Sequence, residues 1–388
     1  MSPTILAVNA GSSSLKFKVF NAHTMEMIWA GKAMGIGSIS GSFHVTDENG
    51  HDVVSKKLRD TSEPQVIEML INWIDEKELI IQGIGHRVVH GGARFFEPAI
   101  VSKSLIGELK KVEKLAPLHL PDILSNLSSF LQAFPKTLQV ASFDTEFHKD
   151  IPDQAKYYAL PANIRKAGVH RYGFHGLSCQ YIISHLKQMR VGIEGKKILI
   201  AHLGSGSSLT AVLNGKSVDT AMGFTPAGGL IMGSRSGDID PGIAPFLLRS
   251  RNLSARQLDE LFNKKSGLLG ISGKTDEISK LLEKEKSDPA SRLALAMFCY
   301  SVKKAIGQFA AVLNGLDELV FTGGIGENVP QIRQRICDEM DYLGILLDEN
   351  LNAKHPAETI SSEYSKVCVR VIAANEEYVL AENVKAFL

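Results

Sequence analysis

The sequence contains an internal repeat, and this repeat restricts the possible folds more than any other feature. Residues 5–15 read ILAVNAGSSSL and residues 198–209 read ILIAHLGSGSSL. Each copy is a short apolar run typical of a strand, then a Gly/Ser turn, then a second alternating apolar stretch. The copies start 193 positions apart in a chain of 388 residues. The sequence therefore predicts two copies of one α/β domain, each opening with a strand–turn–strand.

The connecting segments predict helices that alternate with strands. Residues 64–77 place Val66, Met69, Leu70, Trp73 and Ile74 on one helical face. Asp288 and Pro289 have the pattern of an N-cap and first-turn proline, and Asn314-Gly315 that of a helix end. Residues 319–322 predict a strand, followed by a Gly-Gly-Ile-Gly loop and a helix that opens at Asn328. Two lobes of this kind would meet at a cleft, where ligands commonly bind.

Charge and composition exclude several classes of partner. The formal net charge is +1 without any block of like charges, which argues against nucleic acid and anionic membranes. No apolar stretch approaches the roughly 20 residues of a membrane span, and Ile5–Val8 is too short for a signal-peptide core. The four cysteines lack CxxC or metal-ligand spacing, which predicts free thiols. We expect a cytoplasmic protein of ordinary globular composition.

Small residues form three segments that suit the binding of phosphate groups. Gly11–Ser14 and Gly204–Ser208 are turns between strands, and their backbone N–H groups and hydroxyls can converge on an anion. Lys16 lies two residues past the first turn. The segment 323–328 follows a strand and opens a helix, an arrangement that suits a nucleotide. A single Gly/Ser turn would be interpreted as a hairpin, but two related turns favour anion binding.

One further match to a phosphate motif is accidental. Residues 267–275 read GLLGISGKT, but five residues rather than four separate Gly267 from Gly273-Lys274-Thr275. A P-loop also needs a preceding strand, and residues 258–265 have a helical pattern instead.

Several motifs contain residues of the types that phosphoryl transfer needs. They are residues 85–92 with Arg87, His119 between two prolines, residues 143–148 with Asp144, residues 172–176 with His175, and residues 233–241 with Arg235. Taken singly, each has a structural alternative: an ion pair for the arginine, a partly buried imidazole for either histidine, a turn cap for the aspartate. His86 and His90 make a weak metal pair, because their stretch is β-type rather than helical.

Taken together, these motifs identify a family resemblance. The series VNAGSSSLK, GHRVVHGG, APLH, FDTEFH, RYGFHG, HLGSGSS, MGFTP, GSRSGDIDP, FTGGIGEN and ANEE spans essentially the whole chain. The chain resembles the acetate/propionate kinase family, within the superfamily of acetate and sugar kinases, heat-shock chaperones and actin. The resemblance implies an α/β fold of two duplicated ribonuclease-H-like (actin-type ATPase) domains with a cleft between them. It places the domains at residues 1–147, completed by a C-terminal helix at about 379–388, and 148–378.

The resemblance also implies ligands and roles for individual residues. It implies Mg²⁺, with Mn²⁺ as a substitute, at Asn9 and Glu376. It implies a catalytic set made of Arg87, His119, Asp144, His175 and Arg235. It implies an acceptor pocket that contains Arg87, Val89, Leu118, Phe174 and Pro226. It implies an ATP site that contains Lys16, His202, Leu203, Gly204, Ser205, Gly206, Asp276, Glu277, Ile278, Gly324, Ile325, Gly326, Glu327 and Asn328.

The chemistry of a carboxylate acceptor agrees with these roles. A carboxyl group with a pKa of roughly 4 is ionised at neutral pH and needs no general base. The difficulty is electrostatic, because an anion must approach a polyanion in line. We therefore expect Asp144 to orient other groups or to be linked to the metal, rather than to act as a base.

Two departures from the family pattern concern the nucleotide. Ser205 replaces the usual asparagine, and near Asp276 the expected arginine is missing. This predicts weaker discrimination between nucleotide bases, with the phosphoryl chemistry intact.

The resemblance implies reversible transfer of the ATP γ-phosphoryl to acetate, giving acetyl phosphate and ADP, by a homodimer. Propionate is the alternative acceptor. A sugar kinase, with Asp144 as base, and a nucleotide-switched binding protein are rival hypotheses. Both rivals leave the pair Arg87 and Arg235 unexplained, since an arginine pair suits an anionic acceptor.

Overall fold

A computed structural model describes residues 2–11, 14–117, 119–354 and 358–388. The chain divides into two compact units. The first runs to Glu146 and also includes Asn375–Leu388, and the second is Phe147–Ala374. The described residues form one β-sheet of eight strands and another of five, with helices around them. The prediction of a mixed α/β fold is confirmed.

The first unit begins with a strand hairpin and ends with the last helix of the chain. Its elements are β1 (Thr4–Gly11), β2 (Ser14–Asn21), β3 (Met27–Met34), β4 (Gly41–Asp47), β5 (Asp52–Leu58), α1 (Glu63–Glu76), β6 (Ile81–Val88), β7 (Ala99–Ile100), α2 (Lys103–Lys111), α3 (Leu120–Ala133) and β8 (Leu138–Phe143). The C-terminal helix Glu376–Lys385 (α15) also packs here, against β1, β6 and β8.

The sheet of the first unit has the order β5-β4-β3-β2-β1-β6-β8-β7. Strand β1 is antiparallel to β2 but parallel to β6, and β6 is parallel to β8. Parallel strands end at the same edge of a sheet. Asn9 near the end of β1, Arg87 near the end of β6 and Asp144 just after β8 therefore lie at one edge.

The second unit carries more helices around a smaller sheet. Its elements are α4 (Asp153–Lys156), α5 (Ala162–Lys166), α6 (Gly176–Gln188), β9 (Lys197–Leu203), β10 (Ser207–Leu213), β11 (Lys216–Thr220), α7 (Ile243–Ser250), α8 (Ala255–Lys264), α9 (Gly267–Ser272), α10 (Ile278–Lys284), α11 (Pro289–Leu313), β12 (Glu318–Thr322), α12 (Gly323–Asn328), α13 (Pro330–Cys337), α14 (Glu349–Ala353) and β13 (Cys368–Val371). The described residues also include three short 3₁₀ helices, Glu113–Leu115, Glu146–His148 and Asp341–Leu343.

The second sheet repeats the central pattern of the first. Its order is β11-β10-β9-β12-β13, with β9 antiparallel to β10 and parallel to β12. Strands β1 and β9 thus have the same two kinds of neighbour, which confirms the predicted strand pairs of the repeat. Within the second unit, α11 packs on β9 and β10, and its Phe298 and Val302 lie in the same core as Leu199 and Leu209.

The two longest predicted helices are confirmed. Helix α1 buries Val66, Leu70, Trp73 and Ile74, as its periodicity indicates. The Asp288 side chain accepts a hydrogen bond from the backbone N–H of Ser291 at the start of α11. That helix ends at Asn314, which adopts a left-handed conformation with φ 55°.

The structure differs from the prediction at residues 323–328. The sequence pattern predicts a loop here and a helix opening at Asn328, but the segment is itself the short helix α12. The next helix, α13, starts at Pro330. Three glycines among six residues disfavour a helix by local propensity, so long-range contacts must hold this one.

Two other expectations, on residues 267–275 and on the cysteines, agree with the structure. The P-loop-like residues 267–275 follow helix α8 rather than a strand, and most of them form α9. All four cysteines are free thiols. In the described part of the chain, no helix combines the length and apolar character needed to cross a bilayer.

Candidate active site

In the first unit, Arg87 is the centre of a hydrogen-bonded cluster. Its Nε donates to both carboxylate oxygens of Asp144 at 3.0 and 3.1 Å, and its Nη2 donates to Oδ2 at 2.6 Å. Nη1 donates to Asn9 Oδ1 at 3.1 Å. Asp144 is 1% exposed. The arginine fork therefore holds a buried carboxylate with one side and an amide with the other.

The start of helix α15 adds two more carboxylates to this cluster. Asn9 Nδ2 donates to Glu376 Oε2 at 2.9 Å and to Glu377 Oε1 at 3.2 Å. Lys18 Nζ donates to Asn375 Oδ1 at 2.7 Å and lies 3.7 Å from Glu377 Oε2. Asn9 and Glu376 were predicted from the sequence, whereas Glu377 and Lys18 were not. The adjacent acidic pair in ANEE was the available signal for Glu377.

Burial and charge act in opposite directions within this cluster. Burial lowers the pKa of Arg87, but the carboxylates of Asp144 and Glu376 outweigh it and raise that pKa above its ordinary value. Burial raises the pKa of Asp144, and the guanidinium of Arg87 opposes that rise. Arg87 is therefore a fixed cation, and its charge offsets the cost of burying Asp144.

The donor set of this cluster suits a hard cation. Asn9, Asp144 and Glu376 present only oxygen ligands, the type that Mg²⁺ prefers. Within residues 2–11, 14–117, 119–354 and 358–388, no three His, Cys, Asp or Glu side chains form a group that could hold a metal by themselves. Mg²⁺ commonly takes only one or two carboxylates and completes its shell with waters and substrate phosphates. The residues present therefore fit Mg²⁺ whose shell is completed by waters and phosphate oxygens.

The other predicted residues of the first unit lie on neighbouring elements. Val89 directly follows β6 and is buried, at 8% exposed. His119 is the N-cap residue of α3. Lys16 pairs across the hairpin with Asn9, and its side chain is exposed. Leu118 lies outside the described residues, so its predicted contact with the acceptor has no structural account.

In the second unit, the two predicted nucleotide segments lie side by side. Residues 202–206 span the end of β9, and residues 323–328 follow the end of the parallel strand β12. Gly323 has φ 79°, and a side-chain carbon there would lie 2.7 Å from the carbonyl oxygen of Leu203. Only glycine, which has no side-chain carbon, allows the backbone at position 323 to lie this close to the Leu203 carbonyl. The space beside Gly324 is open, with no atom within 4 Å of a side-chain carbon built there.

His175 is held in a strained conformation at the start of α6. Its φ is 58°, in the left-handed region, which costs a non-glycine residue roughly 1–2 kcal/mol. Its Nδ1 lies 3.0 Å from Ser208 Oγ, and its ring stacks on His202 with centroids 4.2 Å apart. Such strain clusters at functional sites, where the surroundings fix the residue, although helix ends such as Asn314 also adopt this conformation.

Arg235 approaches the same glycine as His175. A side-chain carbon placed at Gly206 would lie 3.4 Å from His175 Nε2 and 3.7 Å from Arg235 Nη1. Arg235 Nη1 also donates to the carbonyl of Pro226 at 3.2 Å. The structure therefore brings together His175, Arg235 and the turn at residues 204–206. Phe174, which precedes His175 in the sequence, is buried at 1% exposed.

The three residues predicted to bind the nucleotide after α9, at positions 276–278, lie in three different environments. A side-chain carbon at Gly233 would lie 3.1 Å from Asp276 Oδ2, and the Gly233 N–H bonds to the Ser205 carbonyl at 3.2 Å. Asp276 is thus next to the glycine turn. Glu277 is exposed and pairs with Lys280, whereas Ile278 lies in the hydrophobic core. A nucleotide contact by Ile278 would have to use its backbone.

A buried histidine supports the segment that carries His175. His148 Nε2 lies 3.1 Å from the carbonyl oxygen of Phe174, and Nδ1 lies 2.9 Å from Ser217 Oγ. Because a carbonyl only accepts, Nε2 carries the proton and Nδ1 accepts from the serine hydroxyl. His148 ends the FDTEFH motif, but no role was predicted for it from the sequence.

His148 and His86 predict how stability depends on pH. Burial lowers the pKa of each to about 4, against 6.5 ordinarily. Below pH 6.5 the unfolded chain binds protons that the folded chain does not bind until about pH 4. We expect the free energy of unfolding to fall as the pH drops from 6.5 to 4, by up to roughly 3 kcal/mol for each histidine.

Urea unfolding at several pH values from 7 to 4.5 measures this dependence. His148→Asn should reduce the slope of stability against pH, whereas replacing the exposed His23 with Gln should leave it unchanged. A slope equal in His148→Asn and the unsubstituted protein would contradict a neutral buried His148.

Known proteins of one family match this chain over nearly its whole length. The family model described as the acetokinase family matches residues 4–382. An acetate kinase of Rhodopseudomonas palustris is 40% identical over 395 aligned positions, covering 99% of this chain and 98% of that protein. An acetate kinase of Clostridium beijerinckii is 42% identical, covering 97% of this chain and 98% of that protein.

Solved structures give the same result for the fold. A propionate kinase of Francisella tularensis has a TM-score of 0.92 and 37% identity, and the match covers 100% of both chains. An acetate kinase of Porphyromonas gingivalis has a TM-score of 0.87 and 33% identity, with 99% of both chains covered.

Proposed function

The chain belongs to the acetate kinase family, and from this premise we propose that it transfers the γ-phosphoryl of ATP to acetate, giving acetyl phosphate and ADP, and catalyses the reverse reaction. It is a phosphotransferase with a carboxyl group as acceptor. The observation that carries the proposal is the state of Arg87, a fixed cation at the end of β6 whose fork is held by Asp144 and Asn9. Such a group suits an anionic acceptor.

The reaction needs no proton transfer. A carboxylate oxygen forms a bond to the γ-phosphorus while the bond from that phosphorus to the β,γ-bridging oxygen breaks. The leaving electron pair stays on ADP. Asp144 is engaged by three hydrogen bonds from Arg87, which supports a role in orienting the arginine rather than in taking a proton.

Residues of the second unit suit the phosphoryl group. His175 and Arg235 both reach Gly206, in the turn that we assign to the phosphates. Fixed N–H donors and a positive charge stabilise the oxygens of a transferring phosphoryl group without reorganising during the reaction. The open face at Gly324, together with residues 325–328, is the proposed nucleotide surface, with Lys16 a further proposed contact.

We propose that Asn9 and Glu376 hold Mg²⁺, with Asp144 linked to it through Arg87. When bound, the ion would neutralise charge on the phosphate oxygens. Mn²⁺, which also favours oxygen ligands, is expected to substitute. His119 stays a proposed active-site residue on the strength of the family resemblance.

The test is detection of acyl phosphate as its hydroxamate, with ATP, Mg²⁺ and either acetate, propionate or butyrate. Formation of ADP with a panel of sugars, and without any acceptor, is measured in parallel. Product with acetate supports the proposal. ADP formed with a sugar and not with acetate would favour a sugar kinase, and slow hydrolysis without an acceptor would favour a nucleotide-switched protein.

Propionate is the second candidate acceptor, because the structure with the TM-score of 0.92 is that of a propionate kinase. We propose that Val89, Leu118, Phe174 and Pro226 enclose the acyl group. A valine at position 89 leaves less room than an alanine. Acetate should therefore fit, and propionate should be disfavoured by the roughly 1–3 kcal/mol that one methylene is worth in an apolar pocket.

Val89→Ala is expected to raise kcat/KM for propionate while acetate turnover stays nearly unchanged. The measurement is kcat/KM for both acids in the unsubstituted enzyme and in the variant. Val101→Ala provides the control, since Val101 is another buried valine of the same unit that lies outside the proposed pocket. If the ratio of kcat/KM for propionate to that for acetate is the same in both proteins, another residue determines the preferred acyl length. The same conclusion follows if the unsubstituted enzyme already prefers propionate.

We also propose that the enzyme is a cytoplasmic homodimer. The family resemblance supports this, and helix α7 is consistent with it. Ile243 and Phe246 on that helix are 40% and 59% exposed, and none of its residues is buried. An apolar helix without buried residues is typical of a surface covered in an assembly.

A further inference from the structure

Arg333 is a buried cation that the proposed mechanism does not use. It lies on α13 and is 3% exposed. Burial lowers its pKa to about 10, so it stays charged at neutral pH. In the described part of the chain, no carboxylate lies within ion-pair distance of it. Burying a charge is costly unless strong hydrogen bonds compensate it, so its partners indicate what the charge is for.

All the partners of Arg333 are neutral oxygens on two elements. Nη1 donates to the carbonyls of Gly326 and Glu327 at 2.8 and 2.9 Å. Nε donates to Asn352 Oδ1 at 2.8 Å, and Nη2 donates to the Asn352 carbonyl at 2.7 Å. Asn352 is itself held, since its Nδ2 donates to the Pro330 carbonyl at 3.0 Å. Arg333 thus joins α14 to the C-terminal end of α12.

Helix α12 is fixed at its other end as well. The Glu327 carboxylate oxygen Oε1 accepts the N–H of Gly323 at 2.8 Å and the N–H of Ala374 at 2.9 Å. The last carbonyls of a helix have no partner within the helix, and Arg333 satisfies two of them. Together these bonds explain why a glycine-rich segment of low helix propensity is helical.

We propose that Arg333 is a positioning residue for nucleotide binding: it fixes the backbone of α12 from behind, so that Gly324 and its neighbours present a preformed surface. This inference rests on the proposed nucleotide site at residues 324–328. A preformed surface does not have to be ordered when the ligand binds. Loss of Arg333 should therefore weaken nucleotide binding and leave the acceptor side unchanged.

The experiment measures the affinity for ADP by calorimetry in Arg333→Lys. Lysine keeps the charge but has a single nitrogen, which cannot reach four oxygens on two elements. Losing hydrogen bonds of this kind is expected to raise the Kd for ADP by about 10–100-fold. The KM for ATP should rise to match, whereas the KM for acetate and kcat should change by less than about threefold.

Arg335→Lys is the matched control. Arg335 lies on the same helix, but both its terminal nitrogens bond to Glu285 at 2.7 Å instead of to α12. Its replacement should leave the Kd for ADP unchanged. Backbone hydrogen exchange in residues 323–328 provides a second readout, with faster exchange expected only in Arg333→Lys.

The outcomes separate this inference from the function it rests on. Equal affinities for ADP in Arg333→Lys and Arg335→Lys would overturn the positioning role while leaving the nucleotide site standing. An unsubstituted protein that does not bind ADP would remove both. If Arg333→Lys shows no cooperative thermal transition, Asn352→Ala decides instead: it deletes one partner of Arg333, and an unchanged Kd in that variant would overturn the proposal.

Discussion

Arg235→Ala is expected to lower kcat by about 10³–10⁵, equivalent to about 4–7 kcal/mol of transition-state stabilisation. The physical reason is that Arg235 reaches Gly206 beside His175, where charge on the transferring phosphoryl group has to be neutralised. Arg235→Lys should recover activity only in part, because lysine lacks the planar fork. The measurement is steady-state formation of acetyl phosphate, with folding checked by thermal unfolding.

Arg256→Ala serves as the control for this prediction, since Arg256 is an exposed arginine of the same unit, on α8. It should keep full activity. If folded Arg235→Ala kept more than a tenth of the unsubstituted turnover, the role assigned to Arg235 would be wrong.

Arg87→Ala is expected to lose both activity and stability. Activity should fall by a factor similar to that of Arg235→Ala, because the acceptor loses its cation. Stability should fall by about 3–5 kcal/mol, because the buried carboxylate of Asp144 loses the partner that donates three hydrogen bonds to it. Urea unfolding and acetyl phosphate formation measure the two effects separately.

The double variant Arg87→Ala/Asp144→Asn distinguishes the two roles of this arginine. Because Asp144→Asn replaces the buried carboxylate that Arg87→Ala leaves without its cation, the double variant should regain part of the stability. It should not regain activity. Arg94→Ala is the control, because Arg94 forms an exposed ion pair with Glu108 at 2.7 Å, and such pairs contribute at most about 1 kcal/mol. A double variant as unstable as Arg87→Ala would show that the ion pair does not account for the loss.

The elements with strong local signals could be predicted from the sequence. The periodicity of residues 64–77 predicts α1, and Asp288 and Asn314 mark the ends of α11. In contrast, the helical state of residues 323–328 could not be predicted. Its stabilising partners, Arg333 and Ala374, lie five and 46 residues beyond its end, and local propensity carries no information about them.

The candidate site shows the same division. The motifs named Asn9, Arg87, Asp144 and Glu376 one by one, and Arg87 and Asp144 each had an ordinary structural alternative. The structure shows that Arg87 bonds to Asp144 and Asn9, and that Asn9 bonds to Glu376, which is 367 positions away. It also adds Glu377, Lys18, His148 and Arg333, for which the sequence offered little signal.

The sequence by itself determined the repeat, the alternation of strands and helices, and the residue types available for phosphoryl transfer, because these depend on patterns over a few neighbouring positions. Only the tertiary structure decided which of those residues meet. Parallel pairing of β1, β6 and β8 brings three strand ends to one edge, and α15 returns from the far end of the chain to pack beside them. Contacts of this kind depend on how distant segments close on each other, which local patterns do not encode.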